Sequence, residues 1–435
     1  MATKRKTPPA TKASSSRKTS NSTRMTTGNG TATMKNGISV RMYDVGFGDC
    51  FLVTIPTSNG DRRILFDCGS VAKGRKDMDT VVDTLIRDVG GPDEARIDVV
   101  VCTHRHKDHV AGFSRKEWAN VDVGEVWMPW TESDEPEAIR IREAQARLAL
   151  SLDAHLQRQA ALAATPADRE RYESAREFTL NATGNETAME TLHEGFKGRT
   201  DILRRFLPEK DKDGKILDTL KTDLLPGVTI HVFGPSRDER AIRDMDPPAG
   251  KTYMQFAVST EEGSNAPDPF SRDWWVRNHK TVSETDKVHI ARFSDGFSTV
   301  VAGSLDSAVN GTSLMLLLQF RDKYLFFPGD SQWGTWNAAM ENNKFYELMK
   351  RVQFYKVGHH GSHNATPIQF VEKTIRNQIV CMASTRSMKN WPHIPLTKLM
   401  DNLAKRGAVV RSDQPPARSD VFLVGDGIID TFIPL

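Results

Sequence analysis

The most informative stretch of this sequence is VCTHRHKDHVAGF, residues 101–113. Three histidines and one aspartate stand within six consecutive positions of it, namely His104, His106, Asp108 and His109. A loop of this kind lets ligands two positions apart converge on one ion, while Asp108 and His109 can face a neighbouring second ion. Crowded imidazoles would repel one another if protonated, unless a metal or a carboxylate organised them. The spacing therefore predicts a site for two metal ions.

The apolar runs before this loop predict strands. IDVVVCT, residues 97–103, is a continuous β-branched run of the kind found in strands buried on both faces, and it leads directly into the histidines. ISVRMYDVGFGDCFLVTI, from residue 38, has two runs with partial alternation around a glycine-bearing turn, which predicts a hairpin. RRILFDCGS ends a further apolar run at Asp67. We infer that these strands aim their ends at one place, so that Asp67 accepts the far N–H of a ligand histidine without binding the metal itself.

The composition excludes several classes of protein. The 435 residues, 38% hydrophobic and 26% charged, suffice for one large or two ordinary globular domains with a core. The four cysteines form no CxxC pair, so we expect neither a disulfide framework nor a cysteine zinc site, and a reducing compartment such as the cytoplasm. The longest apolar runs, such as SLMLLL at 313–318, are far shorter than the ~20 residues of a membrane helix. We therefore expect no membrane span.

The net charge of +3 is unevenly distributed along the chain. The first 37 residues carry eight Lys or Arg and no acidic residue, which leaves about −5, the difference between +3 and +8, for the remainder. Residues 1–36 are polar and poor in apolar side chains, which predicts a disordered basic tail. Two interpretations stay open, namely a solvated mobile arm and an arm that binds nucleic acid by neutralising phosphates.

The chain resembles the metallo-β-lactamase superfamily, whose HxHxDH signature is matched in full by the histidine loop. Other stretches are similar to the branch typified by the soluble domain of the competence protein ComEC: DVGFGDCFLV (44–53), LFDCGS (65–70), NGTSLMLLLQFRDKYLFFPGD (310–330), YKVGHHGS (355–362), NWPHIP (390–395) and RSD (411–413). The resemblance implies that residues 37–435 form an α/β domain, an αββα sandwich of two sheets flanked by helices. The site would lie at the sheet edge where the strand-end loops meet.

The resemblance also implies which residues bind two divalent metal ions, Zn²⁺ or Mn²⁺. Asp330 matches the family aspartate that bridges both metals, which a carboxylate can do at a separation of about 3.5–4 Å; an ordinary Gly-Asp turn is the alternative. His393 resembles the distal histidine that completes the shell of the second metal, although a lone histidine between prolines can also be purely structural. The predicted ligands are His104, His106, Asp108, His109, Asp330, His360 and His393.

The GHHGS segment contains two adjacent histidines that can have different roles. We predict that His360 is the ligand and that His359 contacts phosphate or donates a proton, and the opposite assignment stays open. Asp108 is the second predicted catalytic residue, because it can orient or deprotonate the attacking water. The predicted substrate contacts are Asn310, Ser313 and Ser362.

One family feature has no clean match, namely a further ligand histidine between residues 110 and 329. The candidates are better interpreted as packing or surface residues, and they are His155, His193, His231, His279 and His289. Asn310 and Ser313 reproduce the N-x-x-S pattern of the ComEC branch in this region, so the absence is a trait of that branch.

Two segments stand outside the family pattern. Residues 131–222, approximately, are rich in Ala, Leu, Arg, Glu and Gln with apolar residues at helical spacing, which predicts a helical insertion that could bind a protein partner. A second insert, at about 236–308, contains SRDWWVRNHK. Its Trp274 and Trp275, among arginines, either stack on nucleic-acid bases or pack onto the core.

The resemblance implies a binuclear metal-dependent hydrolase. The prediction is a phosphodiesterase or nuclease that acts on DNA through a metal-bridging hydroxide. An enzyme with the same metal centre that hydrolyses a small ester, lactone, thioester or phosphorylcholine group is the alternative. A third hypothesis is a binding module that holds metal without catalysis.

Overall fold

The computed structural model describes residues 37–197, 199, 201–245, 247–248, 250–253, 297–388 and 393–435. The predicted tail at 1–36 lies outside the described residues, and so do Trp274, Trp275, His279 and His289. The described strands are numbered in chain order: β1 (Gly37–Tyr43), β2 (Gly46–Phe47), β3 (Phe51–Thr57), β4 (Gly60–Phe66), β5 (Ala72–Lys73), β6 (Arg96–Val101), β7 (Asp122–Pro129), β8 (Leu203–Leu207), β9 (Thr219–Leu220), β10 (Val228–Gly234), β11 (Met315–Phe320), β12 (Lys323–Phe327), β13 (Phe354–Lys356), β14 (Ile379–Ala383), β15 (Gly407–Arg411), β16 (Phe422–Val424) and β17 (Ile428–Pro434).

The described helices are numbered in the same way: α1 (Met78–Asp88), α2 (Lys107–Val110), α3 (Pro136–Leu162), α4 (Pro166–Thr183), α5 (Glu186–Glu194), α6 (Glu239–Arg243), α7 (Phe297–Asn310), α8 (Trp333–Glu341), α9 (Asn343–Met349) and α10 (Thr397–Ala404). In the part of the chain that the structure describes, no helix combines the length and the apolar character that a membrane crossing requires.

Two large sheets organise these strands. The first has the order β16-β17-β1-β3-β4-β6-β7-β8 and the second has the order β15-β14-β13-β12-β11-β10-β9. The predicted hairpin is confirmed, because β1 and β3 pair antiparallel with Arg41 opposite Leu52. In the first sheet β4, β6, β7 and β8 run parallel, and in the second β12, β13, β14 and β15 do so. The carboxyl ends of parallel strands lie at one edge of a sheet, which is where ligands bind in such folds.

The sheets pack face to face with helices outside them, so the fold is the predicted αββα sandwich. Strand β6 shows how the sequence dictates this arrangement, because its valines alternate between two cores. Val99 and Val101 pack in the cluster between the two sheets, whereas Ile97 and Val100 face the cluster under α1 and α5. On the far side α8, α9 and α10 cover the second sheet with apolar residues such as Trp336. Residues 97–101 are thus all buried, as predicted, and Asp98 is the one charged residue among them.

A separate group of helices packs beside the sandwich, and we call α3, α4 and α7 the three-helix bundle. Its apolar contacts form two clusters of buried residues: Leu152, Leu156, Ala160, Tyr172, Ala175 and Ala302 in one, and Ala149, Ala182, Leu305 and Val309 in the other. The bundle joins helices from the predicted helical insertion to α7, which lies at the end of the predicted second insert. It therefore forms from segments that are far apart in the sequence.

Candidate metal centre

Strand ends from both sheets bring the predicted residues together. The loop after β6 carries His104 and continues into α2, which contains Asp108 and His109. The turn after β12 carries Asp330, and a 3₁₀ turn at Gly358–Gly361 follows β13 and carries the paired histidines. Backbone hydrogen bonds connect these loops, since Leu314 N donates to Thr103 O at 2.8 Å. The site thus lies at the sheet edge where the sequence analysis expects it.

One group of side chains is arranged to bind a metal ion. Asp108, His109, Asp330 and His360 each offer a ligand atom, and these atoms all lie within 4.8 Å of one another. His109 Nε2 is 3.2 Å from Asp330 Oδ2, and His360 Nε2 is 3.1 Å from Asp108 Oδ2. All four side chains are buried. Two imidazoles and two carboxylates suit a borderline-soft ion such as Zn²⁺ and also Mn²⁺.

The other two histidines of the loop face each other beside this group. His104 Nε2 lies 3.1 Å from His106 Nδ1, and the His104 and His109 ring centroids are 4.1 Å apart. His359 Nε2 lies 3.8 Å from Asp330 Oδ2, the oxygen that also faces His109. Asp330 Oδ2 therefore faces imidazoles from two loops, the histidine loop after β6 and the GHHGS turn after β13.

The second ring nitrogen of most of these histidines is held by a group in the sandwich. Asp67 Oδ2 contacts His109 Nδ1 at 2.8 Å, as predicted for that carboxylate, and it also accepts from Thr103 Oγ1 at 2.7 Å. Thr103 Oγ1 lies 3.2 Å from His104 Nδ1, and the carbonyl of Ser384 lies 2.9 Å from His360 Nδ1. Such partners fix the tautomer and direct the opposite nitrogen to the metal.

The backbone at the site is strained in places that serve this geometry. His359 and His360 have φ of 45° and 51°, and Asp67 has φ of 54°, so all three adopt the left-handed region. Each costs about 1–3 kcal/mol for a residue with a side chain. At Gly69, a Cβ atom would lie 2.5 Å from backbone atoms of His109, so only glycine allows the two loops to pack this closely.

The charges of the group favour cations between its members. Burial raises the pKa of Asp330, but His109, His359 and Lys356 outweigh that effect and hold the pKa well below its usual value. Burial lowers the pKa of His109, but Asp330, Asp108 and Asp67 outweigh it, so the pKa is raised. A proton on this ring, or a metal cation in its place, is therefore stabilised by the surrounding carboxylates.

The pKa values of His104 and His106 are lowered, in contrast to that of His109. Burial lowers the pKa of His106 to about 4, and burial together with the charges of His109 and His106 lowers that of His104. Both rings are therefore neutral at neutral pH, which is the form that binds metal.

Orphaned polar atoms test whether the residues fit the metals that the fold implies. Asp108 Oδ1 and His106 Nε2 are buried without a hydrogen-bond partner. Burial, followed by the negative charges of Asp108 and other neighbours, raises the pKa of Asp306 to about 8. This crowding of carboxylates beside neutral imidazoles is stable only when cations or protons balance it. The side chains of the group of four therefore fit a divalent ion.

Three residues that the sequence analysis missed belong to the site. Lys356 is buried, forms an ion pair with Asp49, and has its Nζ 3.5 Å from Asp330 Oδ1. Burial alone would lower the pKa of Lys356, but Asp49 and Asp330 outweigh it, so the ammonium stays charged. Asp49 and Lys356 stand inside quoted family stretches, DVGFGDCFLV and YKVGHHGS, which could have indicated them. No sequence signal indicated the third residue, Asp306.

The predicted substrate residues lie around the centre with different partners. Ser313 Oγ accepts from the backbone N of Asp330 at 3.2 Å, so it supports the bridging residue. Asn310 Nδ2 lies 3.4 Å from His359 Nε2, while its buried Oδ1 has no hydrogen-bond partner. Ser362 is buried, and its Oγ lies 3.5 Å from His363 Nδ1. Of the three, Asn310 has an unused polar atom at the site.

His360 and His393 are both predicted as ligands, and the structure places them differently. The structure brings His360 into the group of four potential ligands and leaves His359 outside it, with its Nδ1 3.2 Å from Asn364 Oδ1. His393 is exposed and is not part of either group of potential metal ligands found among the described residues. The structure therefore does not bring His393 to either group of potential ligands.

The three other candidate histidines that the structure describes also lie elsewhere. His155 is on α3, His231 Nε2 bonds Gln319 Oε1 at 2.9 Å, and His193 Nε2 is 3.9 Å from Glu132 Oε2. Each has the packing or surface position that the sequence analysis expected of it. All four cysteines are buried and free, which suits small core residues at Cys68 and Cys102.

Comparison with known proteins agrees with this geometry. Residues 43–126 match the family model of the metallo-beta-lactamase superfamily, a segment that runs from the end of β1 into β7 and includes the HxHxDH loop. No curated protein matches the chain. The superfamily consists generally of metal-dependent hydrolases, and the His and Asp cluster supplies the ligands for that chemistry.

Proposed function

We propose that this protein is a binuclear metal-dependent phosphodiesterase of the ComEC-like branch, and that its substrate is DNA. The observation that supports the proposal most is the position of Asp330, whose Oδ2 lies 3.2 Å from His109 Nε2 and 3.8 Å from His359 Nε2. A buried carboxylate within reach of both the histidine loop and the GHHGS turn is placed to be a ligand that two metals share. We propose Zn²⁺ or Mn²⁺ as these metals, and a reducing compartment such as the cytoplasm as the location.

The chain's own residues would divide the remaining work. Two divalent cations, when bound, would lower the pKa of a water and offset the charge of a phosphodiester. Asp108 Oδ1 is buried and lacks a partner, so it can accept a hydrogen from the attacking water. Burial chiefly lowers the pKa of His359, so its ring is neutral until an anionic substrate raises that pKa. In this proposal His359 contacts the phosphoryl oxygen and then donates a proton to the leaving oxygen.

A specific observation favours the second candidate, a hydrolase of small esters, lactones, thioesters or phosphorylcholine. The loop histidines and Asp330 are at most 1% exposed, whereas the side chain of His359 is 16% exposed. A centre this enclosed admits a small substrate or a single strand more readily than a rigid duplex. The DNA proposal rests on the ComEC-like stretches and on the basic tail, whose phosphate neutralisation would be salt-dependent.

A substrate panel tests these candidates. The full chain is incubated with Zn²⁺ or Mn²⁺ and with plasmid, linear DNA, single-stranded DNA, RNA, bis-p-nitrophenyl phosphate and a set of lactones and thioesters. We expect cleavage of DNA and of bis-p-nitrophenyl phosphate, and its loss in His106→Ala and Asp330→Ala. His155→Ala is the matched control, because it removes a histidine on α3 that lies outside the potential ligand groups.

The outcomes separate the hypotheses. Turnover of lactones or thioesters with intact nucleic acid would replace the nuclease proposal by the second candidate. A protein that binds neither Zn²⁺ nor Mn²⁺, and that neither ion activates, would favour the binding module. A protein partner for the helical insertion stays a prediction. Pull-down with the full chain, compared with full-chain variants substituted on the surface of α3, tests it separately.

A further inference from the structure

One carboxylate at the metal centre comes from outside the sandwich. Asp306 lies on α7 of the three-helix bundle, and its Oδ1 is 3.6 Å from His106 Nε2. Two amides hold this carboxylate, since Asn310 Nδ2 donates to Oδ2 at 3.2 Å and Asn181 Nδ2 lies 3.4 Å from Oδ1. The side chain is 14% exposed, so solvent screens it only partly. Its partners point it toward one ring of the HxHxDH loop.

His106 differs from the other loop histidines in what supports its ring. His109 has Asp67 and His104 has Thr103 on the nitrogen that faces away from the site. His106 Nδ1 faces His104 Nε2 at 3.1 Å, which leaves Nε2 as the nitrogen that needs an outer partner. That nitrogen is buried and has no hydrogen-bond partner, and Asp306 is the acceptor beside it. The separation exceeds a usual N–H···O bond by about half an ångström, so the two groups are neighbours that are not hydrogen-bonded in this structure.

The facing nitrogens of His104 and His106 explain why this support matters. Thr103 Oγ1 donates to Asp67, so it accepts from His104 Nδ1 and leaves Nε2 of that ring as a bare lone pair. If Asp306 accepts from His106 Nε2, then Nδ1 of His106 is bare as well. Two lone pairs 3.1 Å apart repel each other unless a cation lies between them. Both rings are then set to bind one metal.

We propose that Asp306 is a positioning residue, which holds His106 by its Nε2 so that Nδ1 faces the first metal. The three-helix bundle thereby sets the affinity of that metal. The proposal rests on the two-metal centre of the proposed function, although it does not depend on which substrate is hydrolysed. It also gives the segments outside the family pattern a role in assembling the centre.

The packing of α7 shows why the bundle as a whole is involved. Leu305 and Val309 flank Asp306 on α7, and they pack against Ala149 of α3 and Ala182 of α4. Asn181, one of the two amides that hold the carboxylate, comes from α4. A shift of α4 therefore moves both the packing surface and a hydrogen-bond donor of Asp306.

The test is Asp306→Asn in the full chain, which keeps the shape and replaces one acceptor oxygen by an N–H donor group. The two neighbouring amides both donate, so an asparagine here can accept from only one of them. We expect the affinity of one of two Zn²⁺ ions to fall by roughly 10–100-fold, as is usual when an outer partner of a ligand histidine is lost. Chelator competition measures the affinity, and the visible spectrum of the Co²⁺-substituted protein reports the coordination of that ion.

Two controls separate positioning from a general effect on the fold. Asp153→Asn removes another carboxylate of the same bundle, whose Oδ1 lies 2.9 Å from Arg176 Nε. This variant should leave both metal affinities and the Co²⁺ spectrum unchanged. In a His106→Ala background, Asp306→Asn should cause no further loss, because the ring through which it acts is gone.

Three results would contradict the proposal. Wild-type affinity for both metals in Asp306→Asn would overturn it, and so would an equal loss with and without His106. A wild-type protein that binds no metal would overturn the metal centre itself and with it the proposed function. A wild type that binds two ions and cleaves none of the substrates would contradict only the proposed function.

Discussion

The sandwich and the three-helix bundle each supply an outer carboxylate to the metal centre, and they hold it differently. Asp67 of the sandwich is 1% exposed and receives Thr103 N and Thr103 Oγ1 at 2.7 Å each and His109 Nδ1 at 2.8 Å. Asp306 of the bundle is 14% exposed, receives two amides at 3.2 and 3.4 Å, and stands 3.6 Å from His106. The sandwich thus fixes its carboxylate more tightly than the bundle does.

Under the proposed two-metal centre, this difference predicts that the two metals are held with different rigidity. Strands β4 and β6 are adjacent and parallel, so the ladder places Asp67 and the histidine loop in register. Asp306 depends on helix packing between segments that are distant in sequence. We therefore expect the metal of the group of four to bind more tightly than the metal between His104 and His106.

Removal of Asp330, the proposed shared ligand, should weaken both metals and has the largest expected effect. Asp330→Asn takes a charged oxygen from both metals. We expect the activation free energy to rise by about 4 kcal/mol, so that kcat/KM falls on the order of 10³-fold. Metal content by mass spectrometry and hydrolysis of bis-p-nitrophenyl phosphate measure it. Retention of two ions with near-normal turnover would show that Asp330 does not bridge.

Removal of the metals should reveal the two affinities in sequence. Metal that binds only the folded state adds about 2.7 kcal/mol to the free energy of unfolding at a concentration 100-fold above Kd. The melting temperature of the chelated protein should therefore rise in two steps as Zn²⁺ is added back. A single step in the wild type, or an unchanged melting temperature, would speak against two sites of different strength.

The variants Asp67→Asn and Asp306→Asn compare the two outer carboxylates directly. Asp67→Asn should weaken the metal bound by His109 by roughly 10–100-fold, and it should also destabilise the metal-free protein by about 1–3 kcal/mol, because a buried acceptor is lost. Asp306→Asn should leave metal-free stability nearly unchanged. Urea unfolding of both chelated variants distinguishes them, and equal destabilisation would mean that the bundle holds its carboxylate as firmly as the sandwich does.

The parts of the site that the sequence predicted share one property, namely that they lie at strand ends within a few residues of a recognisable run. Asp67, the histidine loop, Asp330 and His360 all follow such runs, and the structure gathers them. His393 does not join them, since it is exposed and lies in neither group of potential ligands among the described residues. Asp49 and Lys356 lie in stretches that are similar to the ComEC branch, but the sequence does not indicate that they pair. Their ion pair forms only because the two sheets pack face to face.

The sequence by itself indicated the strands and the metal-binding loop, because alternation and β-branched runs encode strands and because ligand spacing within one loop is a local property; the αββα arrangement of those strands was implied by the resemblance to the metallo-β-lactamase superfamily. Only the tertiary structure decided which distant groups surround that loop, since a contact such as that of Asp306 with His106 depends on how α7 packs against α3 and α4. Side chains 200 residues apart, such as His106 and Asp306, leave no periodic pattern in the chain that could reveal their contact.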